Sequence, residues 1–214
     1  MSPDDRYDVS GLSEAQFQPS SDGLVLKNLL GITLSAEMDA AEANALIDAV
    51  DRLVRSYDEE HRFTANDICE LHRVWLGGIY AWAGEYRQVN VSKGNFMFAA
   101  AGRIPALMAE FERDALARCT PCKFETTEEI VGALAETHVE LVLIHPFLEG
   151  NGRISRVLST LMALQAGLPL LDFGTIAGEK KENYFAAVRA GLDRNYRPME
   201  KIFSGVIERS VAGS

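Results

Sequence analysis

Cysteine is scarce, with three residues among 214. An odd number cannot all pair within one chain, so we expect no disulfide framework, and a reducing compartment suits them. Cys119 and Cys122 have the CxxC spacing of half a zinc or redox site, but the sequence contains no second CxxC to complete one. We interpret this pair as incidental, at the end of a helix.

Basic residues are also few, and long apolar runs are missing. Lysine and arginine total 21 against 31 aspartates and glutamates, a formal net charge of −10. This balance disfavours a nucleic-acid-binding surface, while it still allows a local basic pocket. No run of about 20 apolar residues is present to span a bilayer, and the acidic start is unlike a signal peptide. We expect a cytoplasmic protein without a membrane partner.

Composition divides the chain into two ranges. Residues 1–22 contain prolines, serines and aspartates without a lasting apolar period, which predicts a loosely packed N-terminal arm. Residues 23–214 have helical periodicity along most of their length, and a hydrophobic content of 47% is enough for one buried core. We therefore expect one domain with an N-terminal extension.

The periodicity predicts an all-α fold, a helical bundle with one short β-hairpin. The pattern becomes helical at about Leu24, and a capped helix follows from Ser35 to Leu53. Further helices are predicted at about 64–76, 104–117, 126–144, 154–165, 183–191 and 198–209. Alternating residues at 89–92 and 96–98, on either side of Gly94, predict the hairpin.

The segment from His145 to Arg156, HPFLEGNGRISR, concentrates polar and glycine residues between two helical patterns. Pro146 ends the preceding helix because it pushes residue 145 toward extended geometry. Gly150, Asn151 and Gly152 are expected to form a turn that points several N–H groups at one place, just before a helix beginning at Ile154. A glycine-rich turn that leads into a helix N-terminus is a typical phosphate site.

The charged residues of this segment suit phosphate-centred group transfer. Arg153 and Arg156 lie three apart in the first helical turn, so both guanidinium groups can grip phosphates on one side. Glu149 offers a hard oxygen ligand for Mg²⁺. His145, with an ordinary pKa of ~6.5, suits proton abstraction from an attacking hydroxyl near neutral pH.

The same segment matches, position for position, the signature HPFx(D/E)GNGRxxR of the Fic family. The resemblance extends over roughly residues 24–207 and includes the Trp82–Arg87 stretch and a hairpin at 91–99, which looks like the family's flap that clamps a target by strand pairing. It implies a Fic-like helical bundle. It also implies roles for the signature residues: His145 as the base, Glu149 as the Mg²⁺ ligand, Gly150, Asn151 and Gly152 as the anion hole, and Arg153 and Arg156 as phosphate ligands.

The resemblance implies a protein AMP-transferase that moves AMP from Mg-ATP to a Ser, Thr or Tyr hydroxyl of a target protein. Members of the related Doc branch, which transfer phosphate, have a lysine at the position of Gly152, so this glycine favours AMP transfer. Asn183, Tyr184 and Phe185 are the candidate contact for adenine or ribose. Two alternatives stay open: a Doc-like phosphotransferase or other nucleotidyl donor, and a catalytically idle nucleotide-binding or interaction module.

Regulation is less defined by the sequence. Many Fic proteins contain an inhibitory (S/T)xxxE(G/N) helix, and two imperfect matches end at Glu208 and Glu37. A separate small antitoxin protein is a second alternative, and the absence of both kinds of inhibitor is a third. The resemblance implies a toxin-like or signalling role for this chain. The sequence does not identify the target protein. It also leaves the oligomeric state open, and a homo-oligomer is one of the alternatives.

Overall fold

The structure is a computed structural model that describes residues 16–174 and 181–213, apart from the side chain of Lys181. Over these residues the fold is mainly helical, with one short two-stranded sheet. The α-helices are α1 Ser35–Ser56, α2 Ala65–Leu76, α3 Ile104–Phe111, α4 Ala117–Cys119, α5 Thr127–Ile144, α6 Asn151–Gln165, α7 Lys181–Ala190 and α8 Arg197–Ala212. Short 3-10 turns lie at Ala101–Arg103 and Gly191–Asp193, and a π-helical turn lies at Glu112–Leu116.

The predicted hairpin is confirmed and is shorter than its sequence pattern. Strand β1 is Ser92–Lys93 and strand β2 is Phe96–Met97, and they pair antiparallel with Ser92 opposite Met97 and Lys93 opposite Phe96. Gly94 has a φ of +58° in the connecting turn, a backbone conformation that glycine adopts at little cost. Helix α5 also begins as predicted, because the Thr126 hydroxyl accepts the Glu129 N–H while the Glu129 carboxylate accepts the Thr126 N–H.

The prediction of helix from about Leu24 is wrong, because turns occupy this stretch until α1 begins at Ser35. The Asn28 side chain accepts the N–H groups of Leu30 and Ile32 and donates to the carbonyls of Leu26 and Ile32. Gly31 has a φ of +69°. An asparagine that binds its own local backbone competes with helix formation, although the apolar spacing of the stretch is helical.

Most of the predicted N-terminal arm, residues 1–15, lies outside the described residues. Residues 16–22 fold back on the following chain: Phe17 forms an antiparallel bridge with Leu26, and the Gln18 N–H donates to the Val25 carbonyl at 2.8 Å. Ser21 is buried in this turn. The arm boundary at residue 22 stays a prediction.

The described residues form two compact units. The first comprises 16–56, Asn66–Met108 and Ile144–Asn151; the second comprises Tyr57–Ala65, Ala109–Leu143, 152–174 and 181–213. The first unit buries Trp75, whose indole N–H donates to the Glu42 carbonyl at 2.9 Å. Phe147 is also fully buried there.

The second unit has its core on α5, α6 and α8. Leu134, Leu158 and Val206 are each fully buried. Burial raises the pKa of Cys119 to about 11 and that of Cys122 to about 12, so both remain protonated thiols and poor nucleophiles at neutral pH. Within 16–174 and 181–213, no helix is long and apolar enough to cross a membrane.

Candidate functional site

His145 follows the last residue of α5 and has a φ of +54°. The expectation of extended geometry is therefore wrong: Pro146 keeps residue 145 out of the helix, and the chain takes the left-handed conformation instead. The imidazole stacks on the Phe98 ring, with ring centroids 3.6 Å apart and planes 16° from parallel. The candidate base is thus half-buried against the chain that leaves the hairpin.

Arg87 binds the backbone of the His145 turn. Its side chain is buried, its Nε donates to the His145 carbonyl at 2.7 Å, and its backbone N–H donates to the Pro146 carbonyl at 2.9 Å. These bonds offset the cost of about 1–2 kcal/mol for a non-glycine residue in the left-handed region. No local pattern in the Trp82–Arg87 stretch predicts this role for Arg87.

His72 fixes the next part of the turn. The Gly84 N–H donates to His72 Nδ1 at 2.8 Å, so the ring proton is on Nε2, which donates to the Glu149 carbonyl at 3.1 Å. The His72 ring also stacks on Phe147 at a centroid distance of 3.9 Å. A fully buried histidine therefore orients the backbone that presents Glu149, a contact across 77 positions of sequence that no local motif reveals.

Glu149 is the candidate Mg²⁺ ligand, and its carboxylate accepts the Gly150 N–H at 3.0 Å. Among residues 16–174 and 181–213, no group of three or more histidines, cysteines and carboxylates is placed to hold a metal ion. Mg²⁺ is commonly held by one or two carboxylates together with substrate phosphates and waters, so a lone carboxylate fits only when a polyphosphate completes the site. The donor set thus suits Mg²⁺ arriving with a nucleotide.

Gly150 occupies the tightest point of the turn, with a φ of +84°. A Cβ at this position would lie 2.6 Å from a carbon of the buried Trp75 ring. The next residue, Asn151, closes the loop on itself, because its side chain accepts the Phe147 N–H at 2.9 Å and donates to the Phe147 carbonyl at 2.7 Å. The turn is therefore rigid and admits only glycine at position 150 without strain.

Helix α6 begins at Asn151, three residues before the predicted start at Ile154. The predicted three-residue turn is correspondingly wrong in length, since Gly150 has a positive φ while Gly152 is helical. The Asn151 side chain explains the early start, because it satisfies the loop that precedes the helix. The N-terminal turn of α6, which is the positive end of the helix dipole, then lies in the signature itself.

The remaining signature residues lie in the second unit, on the first turns of α6. Arg153 and Arg156 are three positions apart, which places them on the same face of the helix. Burial lowers the pKa of Arg156, which nonetheless remains a cation in any accessible pH range. A partly desolvated guanidinium near a helix N-terminus is a strong candidate for phosphate binding.

Tyr184, the candidate nucleotide contact, is buried, and its hydroxyl lies 2.8 Å from His138 Nε2. His138 Nδ1 lies 3.3 Å from the Ser159 hydroxyl, which itself donates to the Ser155 carbonyl. With that hydroxyl proton committed, Nδ1–H donates to Ser159 and Nε2 accepts the Tyr184 proton. The contact of Tyr184 with adenine or ribose stays a prediction.

Because His138 is buried, we expect the stability of the fold to decrease at acidic pH. Burial and the Arg156 charge lower the pKa of His138 from 6.5 to about 3, so between these values the unfolded chain binds a proton that the folded chain does not. The free energy of unfolding should fall with acidification through this window, by up to about 1.4 kcal/mol per pH unit from this residue. Urea denaturation between pH 7 and pH 4, at steps of about half a unit, measures the slope. We expect a shallower slope for His138→Gln; an identical slope would contradict the assignment.

The two candidate inhibitory glutamates are exposed. Glu37 lies in the first turn of α1 in the first unit, and Glu208 lies near the end of α8 in the second. In the described part of the second unit, Glu208 forms no ion pair with Arg156. Intramolecular inhibition by either glutamate stays a prediction.

The Fic/DOC family model matches residues 62–163 of this chain. The chain contains a Fic/DOC family domain. The match covers the His145 turn and the start of α6, together with Arg87 and the hairpin. The residues that match the family model thus include the whole His145–Arg156 signature and the turn that it forms.

The chain is also similar in sequence to a curated protein and in structure to two solved proteins. The chain is 30% identical over 149 residues to the protein adenylyltransferase Fic of Drosophila yakuba, and the aligned stretch covers 69% of this chain and 28% of that protein. The chain thus spans less than a third of that relative. The N-terminal FIC domain of Bep8 from Bartonella sp. 1-1C superposes with a TM-score of 0.72 at 22% identity, covering 86% of this chain and 90% of the other. BepC from Bartonella tribocorum, with bound AMPPNP, gives 0.68 at 21% identity, covering 85% and 91%.

Proposed function

We propose that this chain is a protein adenylyltransferase, which transfers AMP from Mg-ATP to a Ser, Thr or Tyr hydroxyl of a target protein. The observation that carries the proposal is the signature turn: a histidine held outside its helix, followed by a rigid glycine turn and a helix N-terminus with two arginines. The name of the Drosophila relative supports the same activity, and the AMPPNP bound to the Bartonella neighbour supports nucleotide binding.

The turn and the helix supply the phosphate site. The N–H groups that open α6 and the guanidinium groups of Arg153 and Arg156 provide positive potential along one segment. Gly152 adds no side chain of its own to the first turn of α6. Glu149 would hold Mg²⁺, which would supply charge neutralisation on the phosphate oxygens.

The reaction is a displacement at the α-phosphorus. The target hydroxyl oxygen forms a bond to this phosphorus while the bond to the bridging oxygen breaks, and pyrophosphate leaves. His145 takes the hydroxyl proton, so the oxygen that becomes the phosphoester oxygen of the product does not carry a positive charge. Most of the remaining catalysis is positioning and electrostatic stabilisation by the turn.

The hairpin is the candidate docking edge for the target. Met97, the last residue of β2, is 66% exposed, while Phe96 and Phe98 on either side are partly buried. A two-residue strand has main-chain groups at its outer edge that can pair with an extended target segment. Strand pairing fixes the backbone of the target and leaves its sequence loosely specified.

Intact mass spectrometry tests the proposal directly. The purified protein is incubated with ATP and Mg²⁺, alone and with a lysate as the source of targets, beside the same reaction without nucleotide. We expect a mass gain of one AMP on a lysate protein or on the chain itself. Stable-isotope labelling of the adenine ring confirms that the nucleoside is transferred.

Each other result points elsewhere. A gain of one phosphate without label would replace AMP transfer by the Doc-like alternative. If no mass changes, Glu208→Gly and Glu37→Gly variants are assayed in the same way, because either glutamate is a candidate inhibitor. Inactivity of all three proteins, combined with tight ATP binding, would favour the nucleotide-binding module and contradict the proposed reaction.

A further inference from the structure

Arg87 joins three separate parts of the first unit through one side chain. It is 1% exposed. Its Nε donates to the His145 carbonyl at 2.7 Å, while Nη1 and Nη2 donate to the carbonyls of Val89 and Ala99. Val89 precedes the hairpin and Ala99 follows it, so the guanidinium binds both ends of the hairpin and the backbone of the candidate base.

The geometry of arginine is needed for this arrangement. A guanidinium presents its donors in a rigid planar fork, so three carbonyls that approach in its plane are fixed relative to one another. Burial of a cation is costly, and charge-assisted bonds to carbonyl oxygens offset that cost. A group that serves only to fill the core would be cheaper as an apolar side chain.

A second link joins the same parts. Phe98 stacks on the His145 ring, and the Phe98 N–H donates to the Val91 carbonyl across the hairpin at 3.2 Å. The backbone link through Arg87 and the ring link through Phe98 both end on His145. The imidazole is therefore fixed with respect to the strands on which a target would pair.

We infer that Arg87 is a positioning residue that holds the His145 turn and the hairpin in one fixed arrangement, so that a target paired with the hairpin is aligned with the base. The effect of this arrangement on catalysis rests on the proposed function, whereas the arrangement itself rests on the hydrogen bonds of Arg87. Loss of the fork should loosen the His145 ring and reduce turnover. It should leave nucleotide binding intact, because the phosphate ligands are other residues.

Arg87→Lys tests this, since lysine keeps the charge and most of the length while losing the fork. The chain has four histidines, whose Cε1–H signals are resolvable by NMR. In the parent protein, stacking on Phe98 should displace the His145 signal upfield. We expect the variant to lose that displacement while the His61 and His138 signals stay in place, and to show turnover reduced at least about tenfold with the nucleotide Kd within about twofold.

The outcomes separate the inference from the proposed function. A folded Arg87→Lys protein with an unmoved His145 signal overturns the inference, whether or not AMP is transferred. An inactive parent protein counts against the proposed function alone, because the NMR comparison needs no activity. If the His61 and His138 signals show that the variant is unfolded, hydrogen exchange is measured on the parent protein instead. The Arg87 Nε–H should then exchange with solvent on the order of 100-fold more slowly than the Nε–H of the exposed Arg55. Exchange at the exposed rate overturns the inference.

Discussion

Replacement of His145 by asparagine should lower the rate of AMP transfer by at least about 100-fold, because a positioned general base contributes about 10²–10⁴ in rate. The Kd for ATP should stay within about twofold, since the proposed phosphate ligands are other residues of the turn and of α6. Asparagine is preferable to alanine here because His145 has a φ of +54°, and asparagine tolerates this left-handed conformation. Initial rates by mass spectrometry and ATP titration by calorimetry measure the two quantities.

The matched control is His61→Asn in the second unit, where a half-buried imidazole packs between Tyr57 and Phe63. This variant should keep its transfer rate, which shows that loss of an imidazole elsewhere is harmless. Unchanged transfer by His145→Asn would contradict the role of His145 as base. Weakened ATP binding by the same variant would instead show that the turn had moved.

Much of the helical fold is predictable because its signals are local. Apolar spacing identified α2, α5 and α8 to within a few residues, and the Thr126 and Glu129 pair marked the start of α5. The hairpin was recognisable from alternation on either side of Gly94. These elements are determined by residues within a few positions of one another.

Other features depended on contacts that local patterns do not encode. The turns at 24–34 form because the Asn28 side chain binds nearby backbone, which outweighs a helical apolar spacing. The early start of α6 depends on the Asn151 side chain closing the loop behind it. The predicted helix from Leu24 and the predicted start of α6 at Ile154 were therefore both wrong for the same reason. In each case an asparagine side chain binds main-chain groups nearby, which apolar spacing does not reveal.

The signature residues were identifiable from the sequence, whereas the residues that support them were not. Arg87 is 58 positions from His145, and His72 is 77 positions from Glu149. Both act on main-chain carbonyls, which leave no side-chain pattern in the sequence. A buried arginine and a buried histidine become informative only when the structure shows which carbonyls they bind.

Gly150→Ala should be the most destabilising single-methyl change in the signature turn. A left-handed alanine costs about 1–2 kcal/mol, and forcing a methyl group into a packed ring costs about 1–3 kcal/mol more. The ring cannot retreat easily, because Trp75 is buried and its indole N–H is bonded to the Glu42 carbonyl. We expect the free energy of unfolding, measured in urea, to fall by about 2–5 kcal/mol.

Gly152→Ala is the control two residues away. Gly152 is helical, and the nearest atom to an added Cβ is Arg156 Nη1 at 3.9 Å, an ordinary contact. Alanine in a helix is favoured over glycine by about 0.5–1 kcal/mol, so this variant should unfold at the same or a higher urea concentration. Equal stability of the two variants would contradict the assignment of the tight turn to Gly150 alone. A large difference between them would show that the backbone of the signature requires glycine at position 150 and tolerates a side chain at position 152.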